Sequence, residues 1–398
     1  MTTHVGPDGL TVTCRFDPAR LEAIRAEWRA LFEAAGAPNP FLSFEWLHTW
    51  WRHFGARRTV WLLEARDRDG ALAGLLALSA RPGLPGVRRW QLLGNGVTGA
   101  DGLDVLARTG DAPAVRAALA RALAAEVRRW DAVDLEDLPC GSPTLAALRA
   151  AMARRGVRTA VERRFVCPGF ALRGTFEDHL QRIRRRDTYG RRVRWLARQP
   201  GFRVEVASAP EEAGPAMDDF LRLHRLRWAA EGGSYGIPPG AAEAFHRDVA
   251  PLLAAAGWLR IYRLFVGTDA VAAVYGIEVG RRFYYYQSGY DPAWSARSPG
   301  LVLVGRTVED AYARGLVDYE FLRGTEPYKL DWTADRRETC AVRLRAPTLR
   351  AGTAAAAEEA LRTARGVARA VAPGWVWEAL VRARRSFDVN GGIGKDEG

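Results

Sequence analysis

The clearest pattern of hydrophobic and polar positions lies in the last third of the chain. Residues 282–290 (RFYYYQSGY) are rich in aromatic side chains, which suit a half-buried strand, and the proline of Asp291-Pro292 cannot continue a strand ladder. Apolar residues then recur every three or four positions over residues 301–312, which predicts a helix. Residues 317–321 alternate apolar with acidic side chains, as in a strand. The pattern predicts a β-α-β unit.

The helix of this unit is predicted to start at Ser298-Pro299-Gly300. The serine side chain can cap free backbone N–H groups, and a proline costs nothing at the first helical position because its missing N–H has no partner there. Free N–H groups and the positive end of the helix dipole form a ready site for phosphate, and Gly300 lets a ligand approach the backbone closely. The helix start is therefore a candidate anion site.

Helices alternate with strands along the rest of the chain, which indicates an α/β architecture in layers. A Pro/Gly-rich change of composition near residues 166–174 marks a domain boundary. We predict an N-terminal domain over residues 1–165, a second domain with the anion site over 166–345, and a basic helical tail with a disordered end over 346–398. The predicted helices cover 17–35, 43–54, 112–130, 143–155, 211–228 and 239–256, and the predicted strands cover 10–16, 59–66, 72–79, 87–93, 132–138, 202–207, 258–266 and 270–278.

Composition and charge narrow the function. The 398 residues are 48% hydrophobic and carry a formal net charge of +12, which favours an anionic partner. Nearly all the positive charge is arginine, and Lys329 is the only lysine outside the C-terminal tail. The N-terminus lacks the design of a secretory signal and no apolar run is long enough to cross a bilayer, so we expect a cytoplasmic protein.

The four cysteines give no sign of a metal site or a disulfide. Cys14, Cys140, Cys167 and Cys340 lie far apart, without a C-x-x-C or Cys/His cluster. We expect them to be small buried residues, and we expect no metal.

Two further segments have a structural and a functional interpretation. Residues 94–99 read G-x-G-x-x-G, but no helix follows directly, so we expect a loop beside the substrate cleft, with Asp101 as a substrate-binding candidate. The arginine-rich residues 175–198 form either a solvated helix surface or a track for phosphates. Aromatic residues do not interleave this run, so specific nucleic-acid recognition is not expected. The basic aromatic segment 375–387 docks either on a membrane surface or on the protein itself.

Several motifs resemble one family. Residues 297–300 (RSPG) match the first half of the R/Q-x-x-G-x-G/A turn with which GNAT-superfamily acyltransferases hold the pyrophosphate of acyl-coenzyme A, although Val302 replaces the second small residue. The runs YYYQSGYDPAWSARSPGLVL, GLVDYEFLRGTEPYKLDW and PFLSFEWLHTWWRHFG resemble the CelD/BcsL-type acyltransferases, which are related to the FemAB peptidyl transferases. The resemblance covers roughly residues 10–345. It implies two tandem GNAT-like domains with mixed, largely antiparallel sheets, and acyl-CoA (acetyl-CoA) as co-substrate.

Transfer of an acyl group from a thioester needs a group that accepts a proton and a group that stabilises negative charge on the carbonyl oxygen. Glu320, Lys329 and Tyr290 are the catalytic candidates. Glu320 is otherwise a solvent-facing strand residue, and Lys329 otherwise forms a salt bridge to Asp331 or Glu326. The coenzyme-binding candidates are Arg297, Ser298, Pro299, Gly300 and Leu301, and the substrate-binding candidates are Gln287, Asp291, Asp101 and Tyr328.

The leading hypothesis is an acyl-CoA-dependent N- or O-acyltransferase acting on a sugar, envelope or lipid-linked acceptor, in the cytoplasm or at the membrane through the basic C-terminal segment. The first alternative is a FemAB-like transferase that takes its donor from aminoacyl-tRNA. The second is a non-catalytic scaffold of polysaccharide biosynthesis.

Overall fold

The computed structural model describes residues 1–36, 38–80, 86–96, 98–229, 233 and 236–371. Its strands form one 14-stranded mixed sheet in the order β1-β2-β3-β4-β5-β7-β14-β8-β13-β12-β11-β10-β9, with β6 paired to β4. The strands are β1 (Thr2–Val5), β2 (Thr11–Arg15), β3 (Thr59–Arg66), β4 (Leu72–Ala80), β5 (Arg89–Leu92), β6 (Leu106–Ala107), β7 (Ala132–Pro139), β8 (Arg158–Ala171), β9 (Arg203–Ala207), β10 (Leu259–Val266), β11 (Asp269–Val279), β12 (Arg282–Tyr290), β13 (Asp318–Glu320) and β14 (Arg336–Arg345).

The helices pack on this sheet and separate its hairpins along the chain. They are α1 (Ala19–Ala23), α2 (Arg25–Ala34), α3 (Phe44–Phe54), α4 (Ala112–Ala125), α5 (Thr144–Ala153), α6 (Phe176–Leu180), α7 (Arg186–Leu196), α8 (Pro210–Ala229), α9 (Ala241–Ala255), α10 (Pro299–Ala313), α11 (Pro327–Leu330) and α12 (Leu349–Val371). The mixed α/β fold is confirmed, and β12 and the start of α10 coincide with the sequence prediction.

The sheet consists of two halves with the same arrangement. In the first half, the hairpin β4-β5 leads through α4 to β7, which pairs in parallel with β5. In the second half, the hairpin β11-β12 leads through α10 to β13, which pairs in parallel with β12. The halves join through β8 and β14: β8 pairs with β14 over residues 158–168 and with β13 over 169–171. The boundary predicted at residue 165 therefore falls inside one continuous strand.

The expectation that the cysteines stay unpaired is wrong for two of them. Cys140, just after β7, forms a disulfide with Cys340 in β14, with the two Cα atoms 5.1 Å apart. The sequence gives no signal for this pair because 200 residues separate its members and only the antiparallel pairing of β7 with β14 brings them together. Cys14 and Cys167 are free and buried, as expected.

Aromatic side chains pack the two halves against each other. The fully buried Trp46 of α3 meets Phe245 of α9 at 5.0 Å and Tyr286 of β12 at 5.5 Å between ring centroids. On β12, Gly289 lies directly under the backbone of α8 at His224, where any side chain would collide. Dense packing of this kind fixes the relative position of the elements that surround the site.

No helix in the described part of the chain is long and apolar enough to cross a membrane. The basic aromatic segment 375–387, which motivates the prediction of membrane docking, lies outside the described residues.

Candidate active site

The site lies where two parallel strands separate. β12 and β13 pair only between residues 282–284 and 318–320. Beyond Glu320 the chain stays with β8, because Phe321 donates its N–H to the carbonyl of Pro168 at 2.8 Å and Gly324 donates to that of Val166 at 3.0 Å. β12 meanwhile continues to Tyr290 along β11. The two strands diverge, and a cavity of about 700 Å³ opens between them.

Both halves of the molecule contribute to this cavity. The first half supplies the loop that reads G-x-G-x-x-G, through Gly96 and Gly99, together with Asp101. The second half supplies β12, the start of α10 and the segment around α11. The remaining lining residues include Arg185, Arg227, Trp228, Tyr285, Tyr286, Gln287, Ser288, Tyr290, Ser298, Pro299, Gly300, Leu301, Val304, Leu322, Arg323, Glu326, Tyr328, Lys329 and Trp332.

The start of α10 faces the cavity, but Ser298 does not cap it as predicted. Ser298 adopts a left-handed conformation (φ 53°), and its side chain makes no hydrogen bond to the first turn. Val302 is the first residue of α10 whose N–H reaches a backbone carbonyl, that of Ser298 at 3.3 Å. The N–H groups of Gly300 and Leu301 therefore belong to the uncapped first turn, beside the cavity, where a helix offers its positive end to an anion.

Val302 does not obstruct this turn. Its side chain is fully buried in the second-half core, and it does not line the cavity. Farther along α10, Gly305 lies against the ring of Tyr189 in α7, with no room for a side chain. Thr307 and Tyr319 share a buried hydrogen bond of 2.7 Å between their hydroxyl oxygens. These contacts hold the helix start at the mouth of the divergent strands.

Asp101 is the one buried carboxylate among the described residues that line the cavity. It accepts the backbone N–H of Arg323 at 2.7 Å and pairs with the Arg323 guanidinium at 2.5 Å. Burial raises the pKa of Asp101 to about 6 even though Arg323 opposes this shift. A carboxylate with a pKa close to neutrality suits the acceptance and release of a proton.

Lys329 is buried and lies on the other side of Arg323. Its ammonium donates to the Arg323 carbonyl at 2.5 Å and pairs with Glu326 at 3.1 Å. Asp331, the other partner considered from sequence, pairs instead with Arg185 at 3.6 Å. The one lysine outside the tail thus lines the cavity, near the buried carboxylate of Asp101.

Three further predicted residues lie in the cavity wall. Gln287 and Tyr290 belong to the part of β12 that extends beyond β13, and Tyr328 lies in α11. The ring of Tyr290 lies 5.5 Å from the Arg227 guanidinium carbon, and the rings of Tyr328 and Tyr285 are 6.1 Å apart. Burial raises the pKa of Tyr328 well above its usual range, so its hydroxyl stays protonated at neutral pH.

Three predicted site residues lie elsewhere. Glu320 does not open onto the cavity: its carboxylate pairs with Arg337 of β14, a strand that sequence alternation cannot place opposite it. Asp291 accepts the N–H of Ala293 at 2.9 Å and caps the 3-10 helix Pro292–Arg297. The guanidinium carbon of Arg297 stacks 4.1 Å from the ring centre of Trp195, outside the cavity lining.

Sequence reasoning missed Arg323, Tyr286 and Trp228 as cavity residues. Arg323 follows Leu322, which has a left-handed backbone (φ 59°) that nothing in the sequence announces. Tyr286 looks like an ordinary strand aromatic, yet it donates its hydroxyl to the carbonyl of Thr98 in the opposite half. The one usable signal was the G-x-G-x-x-G loop, which identified a segment beside the cavity but not its partners.

One cluster among the described residues has metal-ligand chemistry. It consists of His4, Cys14 and Glu126, far along the sheet in the first half. The ring Nε2 of His4 lies 2.8 Å from Glu126, and the other carboxylate oxygen of Glu126 pairs with Arg129 at 2.5 Å. The carboxylate is already satisfied by these two partners.

Comparison with known proteins finds a family match within the second half. Residues 184–330 match the family described as "Acetyltransferase (GNAT) domain". This segment is therefore similar to a GNAT-type acetyltransferase domain. The matched range holds the divergent strands, the start of α10 and Lys329. Asp101 lies outside the range, so the first half completes a cavity that the matched segment only partly lines.

Solved structures extend the likeness to most of the chain. FemX superposes with a TM-score of 0.57 at 12% identity, covering 80% of this chain and 95% of that one. A conserved protein of unknown function from Bacteroides thetaiotaomicron gives 0.53 at 14% identity, covering 84% and 100%. L-PGS from Bacillus licheniformis gives 0.50 at 12% identity, covering 84% and 92%. At these identities the likeness establishes the fold alone. A search of curated proteins by sequence found no match.

Proposed function

We propose that the protein is an acyl-CoA-dependent N- or O-acyltransferase of the CelD/BcsL type, and that its acceptor is a sugar, an envelope precursor or a lipid-linked group. The observation that carries this proposal is the convergence, on one cavity of about 700 Å³, of an uncapped helix start, a buried carboxylate and a buried ammonium. The GNAT domain match agrees with it. The acceptor class rests on the motif resemblance.

The donor end of the cavity is the first turn of α10. The N–H groups of Gly300 and Leu301 point from a helix start that no side chain caps, which suits the diphosphate of coenzyme A. A Cβ on Gly300 would contact only Tyr290, at 3.6 Å, so the backbone there is open on the cavity side. Leu301, Val304 and Trp332 offer an apolar wall to the pantetheine arm.

The acceptor amine or hydroxyl attacks the thioester carbonyl, so a new C–N or C–O bond forms, the C–S bond breaks and the acceptor loses one proton. We assign this proton to the Asp101 carboxylate, because Asp101 is buried in the cavity wall and its pKa of about 6 leaves it ionised but weakly basic at neutral pH. The coenzyme leaves as a thiolate, which takes a proton from water. In this assignment Asp101 replaces Glu320, whose carboxylate is held by Arg337.

We assign to Lys329 the role of stabilising the negative charge that develops on the carbonyl oxygen. A compact ammonium held on two sides, by the Arg323 carbonyl and by Glu326, keeps its position without reorganising during the reaction. Gln287 and Tyr290, on the free edge of β12, are assigned hydrogen bonds to the acceptor, and Tyr328 forms part of the wall.

The test is release of free coenzyme A thiol from acetyl-CoA and longer acyl-CoA, measured with the purified full chain and candidate acceptors. Asp101→Asn and Lys329→Ala should each lower the rate by roughly 100-fold or more, the usual size of a lost proton acceptor or charge stabiliser. The wild-type rate should fall as the pH drops below about 6, because Asp101 then becomes protonated and can no longer accept a proton.

The matched control is Asp291→Asn, which removes a carboxylate that caps the 3-10 helix Pro292–Arg297 and does not itself line the cavity. It should leave the rate near the wild-type value. If the wild-type chain releases no thiol from any donor, or if Lys329→Ala leaves a slow release unchanged, a non-catalytic scaffold becomes the better account.

One observation supports a second candidate, transfer from aminoacyl-tRNA. Arg185, in the turn before α7, lines the cavity, and α7 itself carries further exposed arginines. A phosphate backbone bound along this surface would bring its acyl end to the same catalytic residues. FemX shares the fold, which is compatible with this candidate and does not decide it.

The two candidates separate in a salt titration. Binding of tRNA through several phosphates should weaken steeply as salt rises, and Arg191→Ala with Arg194→Ala should reduce the slope. Tight coenzyme A binding together with weak or salt-independent tRNA binding would leave the acyl-CoA proposal alone.

A further inference from the structure

We infer that Arg323 is a positioning residue of the active site: it fixes the Asp101 carboxylate toward the cavity and ties it to Lys329, so that the groups of the two halves act together. This inference rests on the proposed function. It concerns a residue that no family motif singles out, and it follows from four contacts made by one side chain and its own peptide groups.

The backbone of Arg323 contributes two of these contacts. Its N–H donates to one oxygen of Asp101 at 2.7 Å, and its carbonyl accepts from Lys329 at 2.5 Å. Leu322, one residue earlier, has a left-handed backbone (φ 59°), which is rare for a branched side chain and costs conformational free energy. Such a turn persists where the surroundings require it, and here it belongs to the segment that contacts Asp101.

The guanidinium contributes the other two. It pairs with the second Asp101 oxygen at 2.5 Å and with Asp137 at 3.3 Å. Asp137 also has a left-handed backbone (φ 59°), at the end of β7. Both Asp101 oxygens are therefore contacted by one residue, Arg323, and Asp137 pairs with the same guanidinium. A planar fork with several donors can make these contacts at once, and an ammonium cannot.

Asp101 lies among several charged groups. The charged groups that act most strongly on it are Arg323, Asp137 and Lys329, and the buried Cys167 and Tyr286 are neutral neighbours. Glu326 pairs with Lys329, and Arg164 and Glu136 act on Asp137. Removing the Arg323 charge takes away the cation that acts most strongly on the buried Asp101, which disfavours its ionised form.

The test compares Arg323→Met, Arg323→Lys and the wild type in thiol release across pH 5 to 9. Arg323→Met should move the acid limb of kcat/KM upward by at least about one pH unit, a tenfold loss of rate on that limb, because Asp101 then holds its proton more tightly. Arg323→Lys keeps the charge, so the limb should return toward the wild-type position while kcat stays low, because the fork is lost.

Arg337→Met is the matched control. Arg337 makes a bidentate pair with Asp318 in the same sheet, outside the cavity. This variant should lower stability without moving the acid limb. An Arg323→Met enzyme that loses rate equally at every pH, with the limb unmoved, would reduce Arg323 to a structural residue and overturn the inference.

A second readout does not need the enzyme to be active, so it separates failure of this inference from failure of the proposed function. Asp101 has a folded pKa of about 6 against an ordinary 3.8, so the wild type loses stability relative to Asp101→Asn as the pH rises from about 4 to about 6. In the Arg323→Met background, the same loss should continue above pH 6, measured as the Tm difference between Arg323→Met and the double variant Arg323→Met, Asp101→Asn. An unchanged pH window would contradict the coupling of Arg323 to Asp101.

Discussion

The two halves of the sheet contain the same β-α-β unit, but among the described residues the second unit opens a cavity of about 700 Å³ and the first borders small voids. In the first half, residues 93–111 connect β5 to α4 and bury Leu93, Leu103 and Leu106, leaving voids of about 10 Å³. In the second half, the connection from β12 to α10 is an eight-residue segment, 291–298, whose 3-10 helix buries no residue. The long connection of the first half fills the space between strand and helix with buried leucines. The short connection of the second half buries no residue in its 3-10 helix and leaves this space open.

The long connection of the first half also reaches the open site of the second. After passing beside β5, it carries Gly96, Gly99 and Asp101 into the cavity at α10. The first half therefore supplies a buried carboxylate to the cavity of the second half. The halves differ in role because of one loop, although their strands and helices correspond.

The parallel strands show what the halves still share. In the third pair of each register, Asp134 lies opposite Gln91, and Glu320 lies opposite Tyr284. Both carboxylates are held by arginines of β14, Asp134 by Arg345 at 2.6 Å and Glu320 by Arg337. Glu320 thus has a counterpart in the first half, which indicates a role in holding β14 in the sheet.

The largest expected effect is a loss of stability caused by a substitution in the first half. Leu92 of β5 is buried and borders both small voids. Leu92→Ala should lower the free energy of unfolding by about 2–5 kcal/mol, because the voids merge into a larger cavity that the packed sheet cannot close. Denaturant unfolding measures the loss. Acyl-CoA affinity should stay unchanged, because the proposed coenzyme site lies at the start of α10 in the second half, and a parallel loss of affinity would contradict that placement.

The second prediction concerns the junction of the halves. Replacing both Cys140 and Cys340 with serine should lower the free energy of unfolding by about 2–4 kcal/mol, the usual contribution of a disulfide that closes a long loop. A reducing agent should bring the wild type to the stability of the double variant and leave that variant unaffected. Equal stability of the two proteins under oxidising conditions would show that β14 is held by its strand pairing alone.

The third prediction sharpens the difference between the two helix starts. Gly300→Glu places a carboxylate at the start of α10 and should weaken coenzyme A binding at least tenfold, or about 1.4 kcal/mol, through charge repulsion and occupied space. Gly110→Glu makes the same change just before α4, where a side chain meets open space, and should have no effect on binding. Calorimetry measures the coenzyme A affinity of both variants. Equal affinities would contradict the assignment of the start of α10 as the coenzyme site.

The smallest expected effect concerns Glu320. Glu320→Gln weakens its pair with Arg337 and should cost about 1 kcal/mol or less of stability, because that arginine is partly exposed. The rate of acyl transfer should stay within about twofold of wild type, since a group outside the cavity takes no part in proton transfer. A loss of activity comparable with that of Asp101→Asn would restore Glu320 as the base.

Local sequence signals predicted the local parts of this site. Aromatic content and a proline placed the end of β12, and the Pro299-Gly300 pair placed the start of α10. The rest of the site depends on contacts between residues that are far apart in the sequence. Asp101 and Arg323 are 222 residues apart, and Glu320 meets Arg337 only because β14 crosses into the sheet between the halves. Alternation along a strand shows which face a residue is on, but it does not show what lies opposite.

The central claim is that the first turn of α10 and the Asp101–Lys329 pair belong to one acyl-CoA site. A crystal structure of the full chain with coenzyme A tests it most directly. We expect the diphosphate to accept hydrogen bonds from the N–H groups of Gly300 and Leu301, with the thiol directed between Asp101 and Lys329. Coenzyme A bound at another surface, or absent from the cavity at saturating concentration, would contradict the account.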